Sequence, residues 1–393
     1  MIDITCCEQI ASDFEGSEKK FAIFYNSAAY MIKEPDPIRE KNNQLSYMNN
    51  TFSEHIGCKI FQLLDIPVQE TFLAKYKRSD GKTEIVVACK DFRSPGEQLY
   101  EADKFAKSLI NSNNISKPDY TEIQKIFQKV SLNLSEDAEQ RFWDTFVVDA
   151  LIGNKDRHLG NWGFLSKDRV HLTLAPIYDC GSSLGALVDE EKIKLCLEKD
   201  GIMSNMECNI GTRFTINGKY CTYREVLFNP PQKLIKSINN IVPKINLKAI
   251  DMLINSIPAL DSKRKEFMIR SISMRYEQIL KRALKKVANC QVLLSSVPFN
   301  NNVSSVEEKF IECYNKAIFK GNAQNISAIE ATKYLFMVGY DVDKIYPVLE
   351  KVLPQAQNDD LYSLNIIHKA KESLRTKKSL QEQDKLHSDS RKL

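Results

Sequence analysis

The feature that most constrains this chain is a segregation of patterns: strand-like for about ninety residues, helical afterwards. "KKFAIFYN" and "AAYMIKEP" are β-rich and separated by Asn26-Ser27, which predicts a hairpin. "QETFLAKYKRSDGKTEIVVACKDF" predicts a second hairpin around Asp80-Gly81. Between them, "TFSEHIGCKIFQLLDI" sets Ile56, Ile60, Phe61, Leu63 and Leu64 at helical spacing, with Ser53 as the N-cap. The order is β-β-α-β-β. From about Glu97 the period becomes 3.6 residues, in "EADKFAKSLIN", "YTEIQKIFQKVS" and "SEDAEQRFWDTFVVDALIG". The last of these begins at Ser135-Glu136 and ends at Gly153. More helices follow "RFTINGKYCTY", a hairpin turned at Asn217-Gly218.

These patterns predict an α+β protein in four parts. Residues 1–92 form a small β-rich lobe and 93–297 a larger, mostly helical one. After the linker "PFNNNVSS", residues 298–380 form a helical extension, and 381–393 a polar tail expected to be disordered. The net charge is only +4 over 393 residues, which gives no global case for nucleic acid or a membrane surface. The start, "MIDITCCEQIASDFEG", lacks a basic and then apolar leader, and no apolar run approaches the roughly 20 residues of a membrane span. Ten cysteines without a CxxC pair read as reduced thiols, and five dispersed histidines predict no zinc site. The expected location is cytoplasmic, with secretion by a signal-less route left open.

One stretch, "ALIGNKDRHLGNWGF", is polar where its surroundings are not. Phosphoryl transfer from ATP needs a residue to orient the attacking hydroxyl, oxygen ligands for Mg²⁺, a cation on the phosphates and a loop over them. In kinase-type sites a catalytic Asp precedes a metal-binding Asn by five residues. Asp156 and Asn161 have that offset. A short β pair, "WGFLS" and "VHLTLAPIYD", then leads to Asp179 in "YDCG". Asn161 and Asp179 supply the hard oxygen ligands that Mg²⁺ prefers. Asp156 alone would pass for a turn or cap residue; the hairpin and Asp179 at the right distance set it apart.

The first half holds candidates for the remaining parts. Lys33 ends the strand "AAYMIKEP", where it is either the phosphate cation or an edge-strand lysine. Glu54, near the start of the next helix, is either its partner or a complement to the helix dipole. Gly16, Ser17 and Glu18 in "FEGSEKK" would form the phosphate-covering turn, or simply a tight turn.

"LIGNKDRHLGNWGFL … LTLAPIYDCGSSL" resembles the catalytic core of the HipA family of bacterial serine/threonine kinases, and the order Asp-Arg-His is shared with phosphatidylinositol kinases. "GSEKKFAIFYN … YMIKEP", "EHIGCKIFQLLDIPVQET" and "VVACKDF" resemble its N-lobe, most like the compact CtkA (cell-translocating kinase A) type. The resemblance covers about Gly16 to Val292 and implies a two-lobed protein-kinase-like fold with ATP and Mg²⁺ as cofactors. It implies that Asp156 is the catalytic base and that Asn161 and Asp179 hold the metal. Lys33 would contact the α/β phosphates, positioned by Glu54, and Gly16, Ser17 and Glu18 would cover them. Val87, Ala88, Cys89 and Lys90 would form the hinge strand that meets adenine, with Tyr178 also at the nucleotide. His158 would lie near the phosphates and Arg157 would brace the loop. Ser17 is the candidate for an inhibitory autophosphorylation. The chain is expected to lack the N-terminal subdomain of full-length HipA toxins, which bears on an antitoxin or regulatory protein as partner. The expected partner in the reaction is a protein substrate, with nucleic acid involved only indirectly.

Two rivals stand beside this reading. One is a lipid kinase, and the other is a catalytically silent kinase fold acting as a binding module in a toxin–antitoxin or effector system. The segment "SKRKEFMIRSISMRYEQILKRALKK" is read either as a solvated basic helix face or as a surface for nucleic acid or anionic lipid.

Overall fold

The computed structural model describes residues 1–11, 20–35, 49–109, 117–130, 132–216 and 218–295. The chain divides into two units, Met1–Ser296 and Val297–Leu393. The second unit lies outside the described residues, as do the expected helical extension and tail.

The small lobe is built on one six-stranded sheet. β1 (Ile2–Asp3), β2 (Gln9–Ile10), β3 (Lys20–Tyr25), β4 (Ala28–Lys33), β5 (Thr71–Lys77) and β6 (Thr83–Lys90) lie in the order β1-β5-β6-β4-β3-β2. The β3–β4 turn takes positive φ at Asn26 and Ser27, and the β5–β6 turn at Gly81, as the tight hairpins require. The side-chain period of two divides the sheet faces. Ala74, Val86 and Ala88 join Ile4, Ile23 and Ile32 in one buried cluster. Leu73 and Ile85 face the other way, toward the core that α1 (Asn50–Leu63) enters with Ile56, Ile60 and Phe61. That helix starts three residues before Ser53, with Asn49 as N-cap; Ser53 is buried within its first turns.

The large lobe surrounds α4 (Leu132–Ile152), whose Trp143, Val147 and Leu151 are fully buried. Gly153 ends this helix at φ +66°, a conformation that costs a side-chain-bearing residue strain. Before it come β7 (Gln98–Glu101), α2 (Ala102–Leu109) and α3 (Tyr120–Lys129). After it, β8 (Gly163–Ser166) pairs with both β7 and β9 (Thr173–Leu174). A Cβ at Gly163 would fall 2.3 Å from the Tyr100 carbonyl oxygen, so the β7–β8 approach needs glycine. α5 (Glu190–Glu198), α6 (Asp200–Cys208), the hairpin β10 (Gly211–Ile216) and β11 (Lys219–Thr222), α7 (Tyr223–Phe228), α8 (Gln232–Ile241) and α9 (Leu247–Asn255) follow. α10 (Ser262–Arg275) continues through a π-helical turn, Tyr276–Leu280, into α11 (Lys281–Ser295).

The basic segment of α10 is not a uniformly solvated face. Arg264 and Arg275 are buried. Arg264 donates to the carbonyls of Gly185 and Val188, and Arg275 donates to the Leu151 carbonyl and pairs with Glu207. These arginines cap carbonyls inside the lobe, which removes them from any nucleic-acid or lipid surface. Among the described residues no helix is long and apolar enough to cross a membrane.

Candidate active site

Lys33 is the last residue of β4, an interior strand between β3 and β6, so the edge-strand reading does not hold. Its Nζ lies 3.0 Å from Glu54 Oε2 and 3.1 Å from Asp179 Oδ1. Glu54 is fully buried in the body of α1, and the first turn of that helix has no acidic residue. A dipole role therefore gives way to pairing. The other oxygen, Oε1, accepts the backbone N–H of Cys180 at 3.0 Å. One carboxylate thus ties the helix, the strand and the segment carrying Asp179 together.

The Asp179 side chain is 36% exposed against 1% for Glu54, so Asp179 presents the open side of this triad. Its φ of +60° is unusual for a non-glycine residue and turns the chain sharply at this point. Burial pushes its carboxyl upward, but the Lys33 ammonium, with Arg157 and His158 behind it, holds it below the ordinary carboxylate value.

The catalytic-loop candidates are held from below. Asn154 is buried and donates to Asp149 Oδ1 at 3.0 Å, and its Oδ1 accepts from the Asp156 N–H at 3.0 Å. Asn161 Nδ2 donates to the Asp156 carbonyl at 2.8 Å, which turns its amide oxygen the other way. Arg157 occupies the centre. It forms a two-point ion pair with Asp149, at 2.8 and 3.2 Å, and donates to the carbonyls of Asn161 and Tyr178 at 2.9 and 2.5 Å. Burial would lower this guanidinium; Asp149 outweighs burial and raises it well above its usual value. Arg157 therefore locks the loop to the segment entering Asp179. His158 caps the short 3₁₀ turn Leu159–Asn161, its Nδ1 accepting from the Gly160 N–H at 3.0 Å. Tyr178 donates to the Gly160 carbonyl at 3.1 Å, and its ring stacks on Phe92.

The structure therefore brings Lys33, Glu54, Asp156, His158, Asn161, Tyr178 and Asp179 to one place. Gly16, Ser17 and Glu18 lie outside the described residues. The expected hinge strand, Val87 to Lys90, has its backbone engaged within the sheet. β6 runs between β4 and β5, so Val87, Ala88 and Cys89 are paired on both sides. The Lys90 N–H donates to the Glu70 carbonyl, and the Lys90 carbonyl accepts from Gln69 Nε2. These backbone groups are committed to the sheet; the connection that follows, beginning Asp91-Phe92-Arg93, is what emerges beside Tyr178.

Sequence reasoning missed two groups. Asp149, buried in α4, sits in an apolar helical run where no spacing rule marks it. Arg213, on β10, lies with Nη2 2.5 Å from Asp156 Oδ1 and has no sequence neighbour that hints at the loop. A buried trio of Glu54, Cys58 and Cys180, with ligand atoms within 4.8 Å of one another, also escaped the dispersed cysteine pattern. Glu54 there is already engaged by Lys33 and Cys180.

Comparison with known proteins bears on the family of the chain. The family described as the HipA-like C-terminal domain matches residues 12–242. The serine/threonine-protein kinase CtkA of Helicobacter pylori strain J99 is 31% identical over 288 residues, covering 71% of this chain and 86% of that relative. The crystal structure of a Helicobacter pylori proinflammatory kinase CtkA is 29% identical with a TM-score of 0.67, covering 73% of this chain and 98% of that one. HipA of Shewanella oneidensis MR-1, solved with HipB and operator DNA, is 15% identical with a TM-score of 0.41, covering 70% of this chain and 67% of that one. With a matching fold, a matched family over more than half its length and a kinase relative aligned along most of both chains, this chain belongs to the HipA-like C-terminal domain family and is a kinase of the HipA type.

Proposed function

We propose that the protein is an ATP- and Mg²⁺-dependent kinase that transfers the γ-phosphoryl group to serine or threonine hydroxyls of a protein substrate. The observation that carries this reading is Lys33. One nearly buried ammonium is held between carboxylates 21 and 146 residues away in sequence, one inside the fold and one facing outward. A cation fixed in that way is suited to the α/β phosphates of a nucleotide.

The donor set fits Mg²⁺. The Asn161 amide oxygen and the Asp179 carboxylate are hard oxygen ligands, and Asn161 is already turned by its bond to Asp156. Mg²⁺, when bound, neutralises charge on the phosphate oxygens. This chain's own residues do the rest by positioning. Asp156 orients the acceptor hydroxyl and takes its proton. Arg157 keeps the loop and the Asp179 segment in register. His158 lies beside the phosphates, and Gly16, Ser17 and Glu18 cover them. Adenine meets the connection after Lys90, beside Tyr178 and Phe92, rather than the paired strand Val87–Lys90. Ser17 is the proposed autophosphorylation site.

The test is incubation of wild type and Asp156→Asn with labelled ATP, Mg²⁺ and a cell lysate, followed by phosphosite mapping. Label is expected on serine or threonine, with Ser17 among the sites. Asp156→Asn should lower transfer by about 100-fold or more, the usual scale of lost general-base catalysis. Equal background transfer by both proteins would leave a binding module. Label on inositol lipid alone would replace the protein substrate.

A further inference from the structure

The charge that meets Asp156 comes from neither of its neighbours Lys155 and Arg157 but from Arg213, 58 residues on from Lys155. Nη2 of Arg213 lies 2.5 Å from Asp156 Oδ1, and Nε donates to the Lys155 carbonyl at 3.2 Å. The guanidinium therefore holds the loop at two points: the carboxylate and the backbone one residue before it. The ion pair to Asp156 is made through Oδ1.

An ion pair between two mobile surface side chains contributes little, because both lose rotamer freedom to form it. This pair is built differently at both ends. Arg213 is flanked on β10 by Thr212 and Phe214, both buried. Phe214 packs its ring against Phe142, Trp143 and Phe146. Thr212 Oγ1 donates to the carbonyls of Phe214 and Cys221 at 2.7 and 3.0 Å. Asp119 Oδ2, at the N-cap of α3, accepts from Thr215 Oγ1 and the Gly218 N–H at 3.0 and 2.8 Å. At the other end, Asn154 and Asn161 hold the Asp156 backbone. Only the side chains of Arg213 and Asp156 separate the anchored hairpin from the anchored loop.

We infer that Arg213 is a positioning residue for the catalytic base: it fixes the rotation of the Asp156 carboxylate so that Oδ2 faces the acceptor hydroxyl. The inference rests on the reading of Asp156 as that base. Arg213 touches neither nucleotide nor acceptor in this role. Its loss is felt in turnover, since a base turned away from the hydroxyl slows chemistry without changing how ATP is held.

The test compares Arg213→Ala and Arg213→Lys with wild type, using ATP, Mg²⁺ and casein as acceptor. ADP release gives turnover, and equilibrium binding of ATP serves as the check on folding. Arg213→Ala should lower kcat by about 10- to 100-fold with ATP affinity within about twofold, the scale of a displaced reacting group. Lysine should recover part of the loss, since an ammonium can reach Asp156 but cannot match a two-point fork. Added guanidinium ion should restore part of the alanine variant's turnover. Turnover unchanged in Arg213→Ala, a parallel loss of ATP affinity, or a loss relieved by neither lysine nor guanidinium ion overturns the inference. Wild-type turnover in Asp156→Asn would instead remove the base assignment beneath it.

Discussion

Lys33 is nearly buried, and two carboxylates meet its charge. Replacement by Met keeps an unbranched side chain one atom shorter and removes the charge. Glu54 would then be left buried without a cation, a situation that costs about 3 kcal/mol or more. Lys33→Met should therefore lower the urea midpoint as well as phosphoryl transfer, the latter by about 100-fold, as for other lost charge-stabilising groups. A variant with wild-type stability would mean that the Glu54 charge is satisfied by other means. At this scale the sequence was most legible where chemistry repeats a local spacing. Asp156, Asn161 and Asp179 follow such a spacing. Lys33 and Glu54 each carried a plain rival reading, an edge lysine and a dipole carboxylate, and strand order, helix position and burial reject them. Asp149 and Arg213 left no local signal, because their partners are fixed by how α4 and β10 pack rather than by where they fall in the chain.

Among the elements, α1 does the most positioning, since it carries Glu54 against the site and, through His55, is fastened to the sheet. His55 Nδ1 lies 3.0 Å from Thr71 Oγ1 on β5. Burial lowers the imidazole from its ordinary 6.5 to about 4, with Lys59 adding to the effect. The folded protein thus disfavours the charged form, and the unfolded chain takes up the proton first. Stability should be complete above about pH 6.5 and fall as pH drops from 6.5 toward 4, by up to about 3 kcal/mol for a shift of this size. Below that window the contribution stops changing. Denaturant titrations of wild type and His55→Gln at pH 7, 5.5 and 4.5 would show it. Parallel losses in the two proteins would assign the acid sensitivity elsewhere. The helix itself was legible from its apolar period, but its start was not. Ser53 looked like a cap because Ser favours caps, whereas the buried face continues back to Asn50. The short strands β1 and β2 were too brief to show alternation, and β7 was absorbed into a helical reading that begins only at Ala102.

The molecule as a whole places its site on a join between the β-rich and helical lobes. That join is more than side-chain pairing. Val68, on the connection from α1 to β5, forms a parallel bridge with Ile177. The Gln69 N–H donates to the Ile177 carbonyl at 2.8 Å, and the Ile177 N–H donates to the Pro67 carbonyl at 2.8 Å. Ile177 is buried and lies two residues before Asp179. This backbone seam fixes the segment that carries Asp179 to the lobe that carries Lys33. No sequence pattern marks it, since each partner alone reads as a connection. The physical consequence is cooperative. If the lobes are one folding unit, opening the seam requires breaking both backbone bonds together with the buried ion pair. The amides of Gln69 and Ile177 should then exchange with solvent as slowly as those of Ala88 and Val147, deep in the two lobes, under native conditions. Exchange at the seam much faster than at both reference amides would show instead that the lobes part without unfolding. In that case the seam would be a hinge, and Asp179 would be carried to and from Lys33 by its motion.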